Sequence, residues 1–342
     1  MESSIKFIFN PEHDLCLASG DVNFIPPAAA VRFAQQGKWI ERFMRAPGGM
    51  QAGGGNAAWK IVPWGWNAVL KRKLMEEGWP EEMLPSDEEL EFIRENSRRE
   101  LAVELLGKLQ CASTILSHTY RTIAHTLEEI ESFLHQHRRV VLKAPLSGSG
   151  KGIRFVTGEL METDRGWCRN TLQKQGSVIV EQRMEILQEF AMLFECTPAA
   201  EKPYGNVTFR GYSMFYASNG AYKGNILASN EHIENTLTRW IPKEMLHKVQ
   251  EEIARWLQEK LSGKYTGFIG VDQFICPHNG AMLYNPAMEI NLRMTMGLIA
   301  RNIYDYHKEE YTLGEGTHCF EPERGIILLP CSGLPQTLLQ TP

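Results

Sequence analysis

The sequence lacks the features that would point to a membrane, a nucleic acid or a redox centre. It has no apolar run of membrane-spanning length, no CxxC pair and no excess of basic charge, since the net charge is −5 at pH 7. The apolar segment 5–9 is short and follows Glu2, so it predicts a first β-strand rather than a signal peptide. Without a basic excess there is no electrostatic footprint for nucleic acid. We therefore expect neither a membrane nor a nucleic acid as a partner.

The cysteines and the chain length give two further expectations. The seven cysteines are scattered without a disulfide framework, which predicts reduced thiols and a cytoplasmic location. At 342 residues, of which 43% are hydrophobic and 23% charged, the chain is that of a globular protein too long for one ordinary core. Two or three lobes are expected, and no internal repeat or low-complexity linker separates them.

Periodic apolar residues and turn signals predict most of the secondary structure. Ser86 and Thr126 each begin a capping-box pattern that opens a helix. The pair Asn219-Gly220 predicts a hairpin turn. Further helices are predicted over 98–109 and after Pro242, and strands over 6–9, 61–64, 140–142, 153–156, 178–181, 190–194, 212–216, 268–275 and 281–291.

A glycine-rich run between two apolar strands is the most informative segment. Its small residues leave the backbone bare enough to wrap a polyphosphate, and they are Ser147, Gly148, Ser149, Gly150, Lys151 and Gly152. A Walker loop would need glycine at Pro145 and a hydroxyl residue after Lys151, and a dinucleotide fingerprint would need another glycine spacing and a helix at its exit. The strand–loop–strand order favours a hairpin lid over phosphates, with a ligand-free surface hairpin as the alternative.

Two acids near the C-terminal end fall on neighbouring predicted strands. Asp272 lies within one apolar strand, and Glu289, Asn291 and Arg293 share one face of the next by period-two alternation. Carboxylate and amide oxygens on rigid strands suit Mg²⁺ that bridges nucleotide phosphates, and a buried acid pair without a cation would repel itself. The alternative is that these acids form salt bridges with Arg293 and other basic groups.

Two more segments are candidates for binding. Glu181 ends a predicted strand, and the chain from there to Met184 can bind an adenine edge through backbone groups or be an ordinary strand end. Glu12, His13 and Asp14 directly follow the first strand. Because ligands of α/β folds gather at the C-terminal ends of strands, these three are candidates for acceptor binding, with caps or surface groups as the alternative.

Taken in order, these motifs resemble the ATP-grasp superfamily over about residues 95–310. The motifs are the strand with Lys143 and its glycine run, the segment around Glu181, the segment around Asp272, and residues 288–293. The resemblance implies an α+β and α/β protein in which two α+β subdomains clamp ATP, preceded by a small α/β lobe. The implied boundaries are 1–95 for the N-terminal lobe, 96–185 for the central subdomain with the lid, 186–330 for the C-terminal subdomain with the metal site and 331–342 for a tail.

The resemblance also implies how the nucleotide is bound. Lys143 would contact the ATP phosphates and the adenine side, beneath a lid formed by residues 147–152. Glu181 and the backbone around Met184 would hold adenine. Glu189 resembles the acid that binds ribose in this superfamily.

The metal and catalytic groups follow from the same resemblance. One or two Mg²⁺, with Mn²⁺ as an alternative, would be held by Asp272, Glu289 and Asn291. Arg293, together with Lys143, is implied as a catalytic residue that stabilises the acyl phosphate or the acceptor.

The sequence departs from the superfamily pattern at two positions. The lysine often found at the start of the helix before the central subdomain is replaced here by Arg98 or Arg99, and the sequence does not distinguish them. The arginine that some members carry two residues before the first metal acid is Gly270 here. Charge stabilisation would then come from Arg293, Arg210 or elsewhere, and Arg210 joins the substrate candidates.

The activity implied is an ATP-dependent ligase that activates a small carboxylate as an acyl phosphate for attack by an amine or a similar nucleophile. Two alternatives stay open: a kinase of the same superfamily that phosphorylates a hydroxyl, and a non-catalytic nucleotide-binding protein. The complete set of implied residues argues against the last. Neither the identities of the substrates nor the oligomeric state can be read from the sequence.

Overall fold

The computed structural model describes residues 4–48, 59–109, 120–148, 152–197, 206–218, 221–261, 263–278 and 280–329. They form three β-sheets with helices packed on them. The mixed helix-and-sheet class predicted from the sequence is confirmed. Within these ranges, no helix is both long enough and apolar enough to cross a membrane.

The first sheet has two parallel strands, β1 (Ser4–Ile8) and β2 (Trp59–Pro63). Two strands bury little surface on their own, so helices and short 3₁₀ turns complete this region. They are α1 (His13–Ser19), α2 (Ala28–Gln36), a 3₁₀ turn (Lys38–Phe43), α3 (Ala68–Glu76), a second 3₁₀ turn (Glu81–Met83) and α4 (Asp87–Asn96). The next helix along the chain, α5 (Glu100–Lys108), packs on another sheet. The capping box predicted at Ser86 is confirmed, because Ser86 Oγ accepts from the Glu89 N–H and the Glu89 carboxylate accepts from the Ser86 N–H. At Thr126 only the first bond is found: its Oγ1 accepts from the Glu129 N–H, whereas the Glu129 carboxylate accepts from the His125 N–H.

The second sheet has four strands in the order β3-β6-β4-β5, each antiparallel to its neighbours. Its elements are β3 (Arg121–Ala124), α6 (Leu127–His137), β4 (Arg139–Lys143), β5 (Ile153–Thr157), α7 (Glu162–Gln175) and β6 (Val178–Gln182), and both helices share one core with the strands. Because β6 lies between β3 and β4, Glu181 is opposite both Arg121 and Val141 in register. This strand order brings the ends that carry Arg121, Lys143 and Glu181 together.

The third sheet has seven strands in the order β11-β10-β7-β8-β9-β12-β13. Its strands are β7 (Gln188–Thr197), β8 (Asn206–Ser218), β9 (Ala221–Leu227), β10 (Gly267–His278), β11 (Ala281–Asn291), β12 (His318–Glu321) and β13 (Gly325–Leu328), and its helices are α8 (Asn230–Leu237), α9 (Lys243–Leu261) and α10 (Met296–His307). β10 and β11 confirm the two C-terminal strands predicted from alternation, and α9 confirms the long amphipathic helix after Pro242.

Both faces of the seven-stranded sheet are covered. Along β7, Phe190 and Met192 point into a core with α5, α8 and α9, whereas Ala191 and Leu193 point into a second core with α10 and the N-terminal region. This alternation is the period-two pattern of a strand buried on both sides. Asp272 is paired with Ala191 in register, so it lies on the face that meets the N-terminal region.

Helix α5 and the β8–β9 hairpin both lie where the sequence made a prediction. Helix α5 buries Leu101 and Leu105 in the core of the seven-stranded sheet, although it falls within the predicted central subdomain. The domain boundaries therefore stay predictions.

The β8–β9 hairpin pairs Ser218 with Ala221 in antiparallel register, whereas the predicted turn residues Asn219 and Gly220 lie outside the described residues.

The cysteines follow the expectation in part. Cys16, Cys168, Cys196 and Cys276 are buried free thiols. Cys319 on β12 is disulfide-bonded, so the expectation of reduced thiols is wrong at that residue. The cytoplasmic location stays a prediction.

Candidate active site

The two predicted acids meet on neighbouring strands. In the antiparallel β10–β11 pair, Asp272 is directly opposite Glu289, and Gly270 is opposite Asn291. Asn291 Nδ2 donates to Asp272 Oδ2 at 3.0 Å. The juxtaposition predicted from alternation is therefore confirmed. The bond to Asp272 uses the amide nitrogen of Asn291 and leaves the amide oxygen for another partner.

Two carboxyl groups on this face have raised pKa values. Burial raises the pKa of Asp272 to about 7, and the facing Glu289 adds to the rise while Arg293 opposes it. Burial likewise raises the pKa of Glu189 to about 7, with Lys143 opposing. Ionised acids in these positions favour a bound cation, because a cation offsets both the lost hydration and the mutual repulsion.

The candidate metal ligands are all oxygen donors. Among the described residues, no three side chains of His, Cys, Asp or Glu come together as a metal site. The set consists instead of two carboxylates, from Asp272 and Glu289, and the Asn291 amide. Mg²⁺ suits such a set, since it keeps several waters and is commonly held by one or two carboxylates plus substrate phosphates.

Of the two arginines before α5, Arg99 is the one that reaches this face. Its guanidinium lies 3.1 Å from Glu289 Oε1 and donates to the Ala144 carbonyl at 2.5 Å and to Ser147 Oγ at 2.7 Å. Arg98 turns away and donates to Glu100 and to the Gln175 carbonyl. Of the two arginines that the sequence did not distinguish, Arg99 is therefore the one that contacts the acid pair.

Glu181 lies between two cations at the ends of neighbouring strands. Lys143 Nζ is 2.7 Å from Glu181 Oε2, and Arg121 Nη2 is 2.8 Å from Glu181 Oε1. Burial alone would raise the pKa of Glu181, but Arg121 and then Lys143 outweigh it and hold that pKa below its usual range. The carboxylate of Glu181 is therefore ionised and fully engaged.

Arg121 is a residue that sequence reasoning missed. Besides its ion pair with Glu181, it donates to the backbone carbonyls of Ala287, at 2.8 Å, and Met288, at 3.4 Å, on β11. It thus joins the four-stranded sheet to the seven-stranded sheet beside the acid pair. A lone arginine opening the apolar strand Arg121–Ala124 was the available signal, although its meaning depends on the strand order.

Arg293 forms a bidentate ion pair with Asp14 of α1. Its Nε and Nη2 donate to the two carboxylate oxygens of Asp14 at 2.8 Å each, and its Nη1 donates to the Met294 carbonyl at 3.0 Å. Burial would raise the pKa of Asp14, but Arg293 outweighs it and the pKa lies below its usual value. A planar fork of this kind fixes the orientation of the guanidinium.

His13, beside Asp14, is almost completely buried, with 1% of its surface exposed. Asn67 Nδ2 lies 3.2 Å from His13 Nδ1. The ring packs on Gly65, where an added Cβ would lie 2.6 Å from Nδ1. Burial lowers the pKa of His13 to about 4, with Asp14 opposing. The imidazole is therefore neutral at pH 7.

The glycine-rich run joins two paired strands, as predicted. In the β4–β5 pair, Lys143 is opposite Ile153, and the Ala144 N–H donates to the Gly152 carbonyl at 2.8 Å. A Cβ on Gly148 would lie 2.6 Å from Leu15 Cδ2, so the backbone at Gly148 lies close to α1. Ser149, Gly150 and Lys151 lie outside the described residues.

These groups meet in one pocket at the junction of the three sheets. Its lining includes His13 and Asp14 of α1, Arg99, Ser147 of the lid, and Glu289 and Arg293 of the seven-stranded sheet. Asp272 lies behind it, hydrogen-bonded to Asn291. The pocket therefore combines guanidinium donors, carboxylate and amide oxygens, and residues of α1.

The remaining predicted residues lie outside that lining. Arg210 lies 3.2 Å from Glu195, whose carboxylate also accepts from the Gly48 N–H. Met184 packs in a small cluster with Phe274. Glu12 precedes α1 without a side-chain cap bond, and burial raises the pKa of its carboxyl. The sequence-based role of Arg210 thus has no geometric support at this pocket.

Comparison with known proteins finds only distant likenesses. No family model matches the chain, and no curated protein matches it. Among solved structures, N5-carboxyaminoimidazole synthetase from Staphylococcus aureus, complexed with ADP, is 12% identical, with 96% of this chain and 81% of that chain covered and a TM-score of 0.46.

Two further solved structures are similar to the same degree. D-alanyl-alanine synthetase A from Vibrio cholerae is 12% identical, with 87% of this chain and 92% of that chain covered and a TM-score of 0.46. Biotin carboxylase from Campylobacter jejuni is 13% identical, with 79% and 57% covered and a TM-score of 0.46. Similarity at this level leaves the activity to be argued from the site itself.

Proposed function

We propose that this protein is an ATP-dependent ligase that activates a small carboxylate as an acyl phosphate, which an amine or a similar nucleophile then attacks. One observation carries the proposal. Glu289 and Asn291, with Asp272 behind them, meet Arg99, Arg293 and the lid at a single pocket. Phosphoryl transfer needs charge stabilisation and exclusion of water rather than a protein nucleophile, and this pocket has that composition.

The reaction proceeds in two steps. A carboxylate oxygen of the substrate bonds to the γ-phosphorus of ATP, the bond between that phosphorus and the β–γ bridging oxygen breaks, and ADP leaves. The nucleophile then bonds to the acyl carbon, the bond from that carbon to the phosphate oxygen breaks, and inorganic phosphate leaves as the nucleophile loses a proton. Both steps concentrate negative charge on oxygen, so cationic groups are the catalytic requirement.

The acids, the amide and the arginines at the pocket each have a role in this scheme. Asp272, Glu289 and Asn291 would hold one or two Mg²⁺, or Mn²⁺ as an alternative, and a bound ion there would neutralise phosphate oxygens. Arg293, held in orientation by Asp14, faces the reacting acyl phosphate. Arg99 connects Ser147 of the lid to Glu289 and so couples lid position to the acid pair.

The nucleotide would lie between the two larger sheets. Lys143 contacts the phosphates, and residues 147–152 cover them. Glu181 orients Lys143 through its 2.7 Å ion pair, while the backbone around Met184 binds adenine. Glu189, with its pKa raised to about 7, hydrogen-bonds the ribose hydroxyls.

The proposal is tested by binding and by product analysis. Isothermal titration with Mg-ATP, followed by a screen of amino acids and small carboxylates for ATP-dependent phosphate release, should identify a substrate. Hydroxylamine should then trap the acyl phosphate as a hydroxamate. A phosphorylated alcohol without a hydroxamate would make the protein a kinase, and no binding of Mg-ATP would make it non-catalytic.

Neighbouring arginines supply a matched control for that screen. Arg99→Gln should lower phosphate release about tenfold or more, because it removes an interaction with the lid and the acid pair. Arg98→Gln should leave the rate unchanged, since Arg98 bonds to Glu100 and the Gln175 carbonyl. Equal effects of the two substitutions would contradict the assignment of Arg99.

A further inference from the structure

Two buried donors at the pocket have no acceptor. Among the residues with described positions, neither His13 Nε2 nor Arg99 Nε has a hydrogen-bond partner. His13 is 1% exposed and Arg99 7% exposed, and both residues line the same pocket. A buried donor without an acceptor costs free energy that a bound acceptor would recover. Two such donors from different parts of the chain therefore point to a ligand oxygen.

The protonation of the His13 ring follows from its neighbour Asn67. Asn67 Oδ1 accepts from the Leu70 N–H at 3.0 Å, as the N-cap of α3, which fixes the orientation of the amide. Asn67 Nδ2 then faces His13 Nδ1 at 3.2 Å. An amide NH₂ only donates, so Nδ1 is the acceptor and the neutral ring carries its hydrogen on Nε2. His13 thus presents an N–H donor.

The other side chains of the pocket determine the charge of its ligand. Asp14 is paired with Arg293 and Glu289 with Arg99, so the two acids that line the pocket have cationic partners. Among the described side chains that line the pocket, the buried donors without an acceptor are His13 Nε2 and Arg99 Nε. The chemistry is that of an oxyanion site.

We propose that His13 Nε2–H and Arg99 Nε–H bind the oxygens of an anionic substrate group, a carboxylate or a phosphoryl group. This makes His13 a substrate-binding residue contributed by the N-terminal lobe. The inference rests on the proposed function for the identity of the reaction but not for the existence of the site. Inorganic phosphate and acetate represent the two sources of such an oxyanion.

The test is nuclear magnetic resonance of the histidine rings in the full chain. Comparison of the wild type with His13→Gln identifies the His13 signals among the ten histidines. At pH 7 we expect the Nε2–H tautomer, and we expect its signals to shift on titration with inorganic phosphate, with acetate, or with both. The anion that shifts them identifies the source. An Nδ1–H tautomer, or signals that neither anion moves, overturns the proposal.

Two substitutions form a matched pair for the same site. The amide nitrogen of Gln reaches the position of Nε2, whereas that of Asn reaches only the position of Nδ1. His13→Gln should bind the active anion with a dissociation constant within about twofold of wild type, and His13→Asn about tenfold more weakly. Equal weakening in both variants would assign His13 a structural role only.

Binding of Mg-ADP separates this inference from the proposed function. If wild-type Mg-ADP binding is normal while the His13 signals ignore both anions, the oxyanion site fails and the ligase proposal stands. If Mg-ADP does not bind while the His13 signals shift, the ligase proposal fails and the oxyanion site stands.

Discussion

Two buried acid sites in this molecule are built in opposite ways. In the four-stranded sheet, Glu181 lies between Arg121 and Lys143, and its pKa is held below the usual range. In the seven-stranded sheet, burial raises the pKa of both Asp272 and Glu189 to about 7. The protein balances the charge of Glu181 with two cations, whereas it does not balance the charges of Asp272 and Glu189 in this way.

The difference indicates which of the two sites a bound cation would stabilise. Burying a carboxylate is costly unless it is paired, so an acid that the fold has paired serves stability. An acid left with a raised pKa is stabilised only when something else brings positive charge. Replacing the acid by its amide should therefore lower the stability of the fold at Glu181 but not at Asp272.

The largest effect is expected at Asp272 and at Glu289, which faces it across the β10–β11 pair. Asp272→Asn with Glu289→Gln should lower ADP formation by about 1,000-fold or more, because it removes the charged metal ligands. Thermal unfolding should show an intact fold. The control is Glu159→Gln with Glu309→Gln, which makes the same charge change at exposed positions. Full turnover by the first double variant would refute the metal assignment.

At the balanced site the effect should be on stability. Glu181→Gln leaves Lys143 and Arg121 buried without their counter-charge, so we expect the free energy of unfolding to fall by about 3–5 kcal/mol. Urea unfolding measures the change. The exposed control Glu159→Gln should shift it by less than about 0.5 kcal/mol. An unchanged midpoint for Glu181→Gln would show that the three charges do not act as a unit.

A pH series tests the contrast directly in metal-free protein. The unfolded chain loses the Asp272 proton near its ordinary pKa of 3.8, but the folded chain keeps it until about pH 7. The folded state thus binds more protons across this window, and its stability falls as pH rises through it. The stability difference between Asp272→Asn and wild type should therefore be larger at pH 8 than at pH 5. A difference independent of pH would contradict the raised pKa.

The smallest effect is expected at the lid. Gly148→Ala places a Cβ 2.6 Å from Leu15 Cδ2, and this overpacking should raise the KM for ATP about fivefold. Adding Leu15→Ala should restore it, because it removes the obstructing atoms. Gly166→Ala in α7 is the control, since nothing lies within 4 Å of an added Cβ there. No rescue by Leu15→Ala would show that the lid senses another contact.

The acid pair could be predicted because it depends on local pattern. Period-two alternation and one tight turn fix the faces of β10 and β11, and Asp272 consequently meets Glu289. The glycine run between strands was equally readable. Both features need only a few consecutive residues, and local backbone geometry is what a sequence encodes most directly.

The contacts of Arg121 and Arg99 could not be predicted, because their positions depend on strand order and on helix packing. Arg121 matters only because β6 lies between β3 and β4. Arg98 and Arg99 are adjacent, and only packing of α5 decides which of them turns to the pocket. Arg210, proposed as a source of charge, pairs with the buried Glu195 instead.

The Asp14–Arg293 pair joins residues 279 positions apart in the chain. Closing so large a loop carries an entropic cost that must be met before the contact contributes anything, and contacts of such sequence separation slow folding. During synthesis Asp14 leaves the ribosome long before Arg293 exists, so the guanidinium is oriented only after β11 has formed. Under the proposed function, nascent chains and chains truncated before β11 should therefore be unable to hydrolyse ATP, and activity would arise as one of the last events of folding.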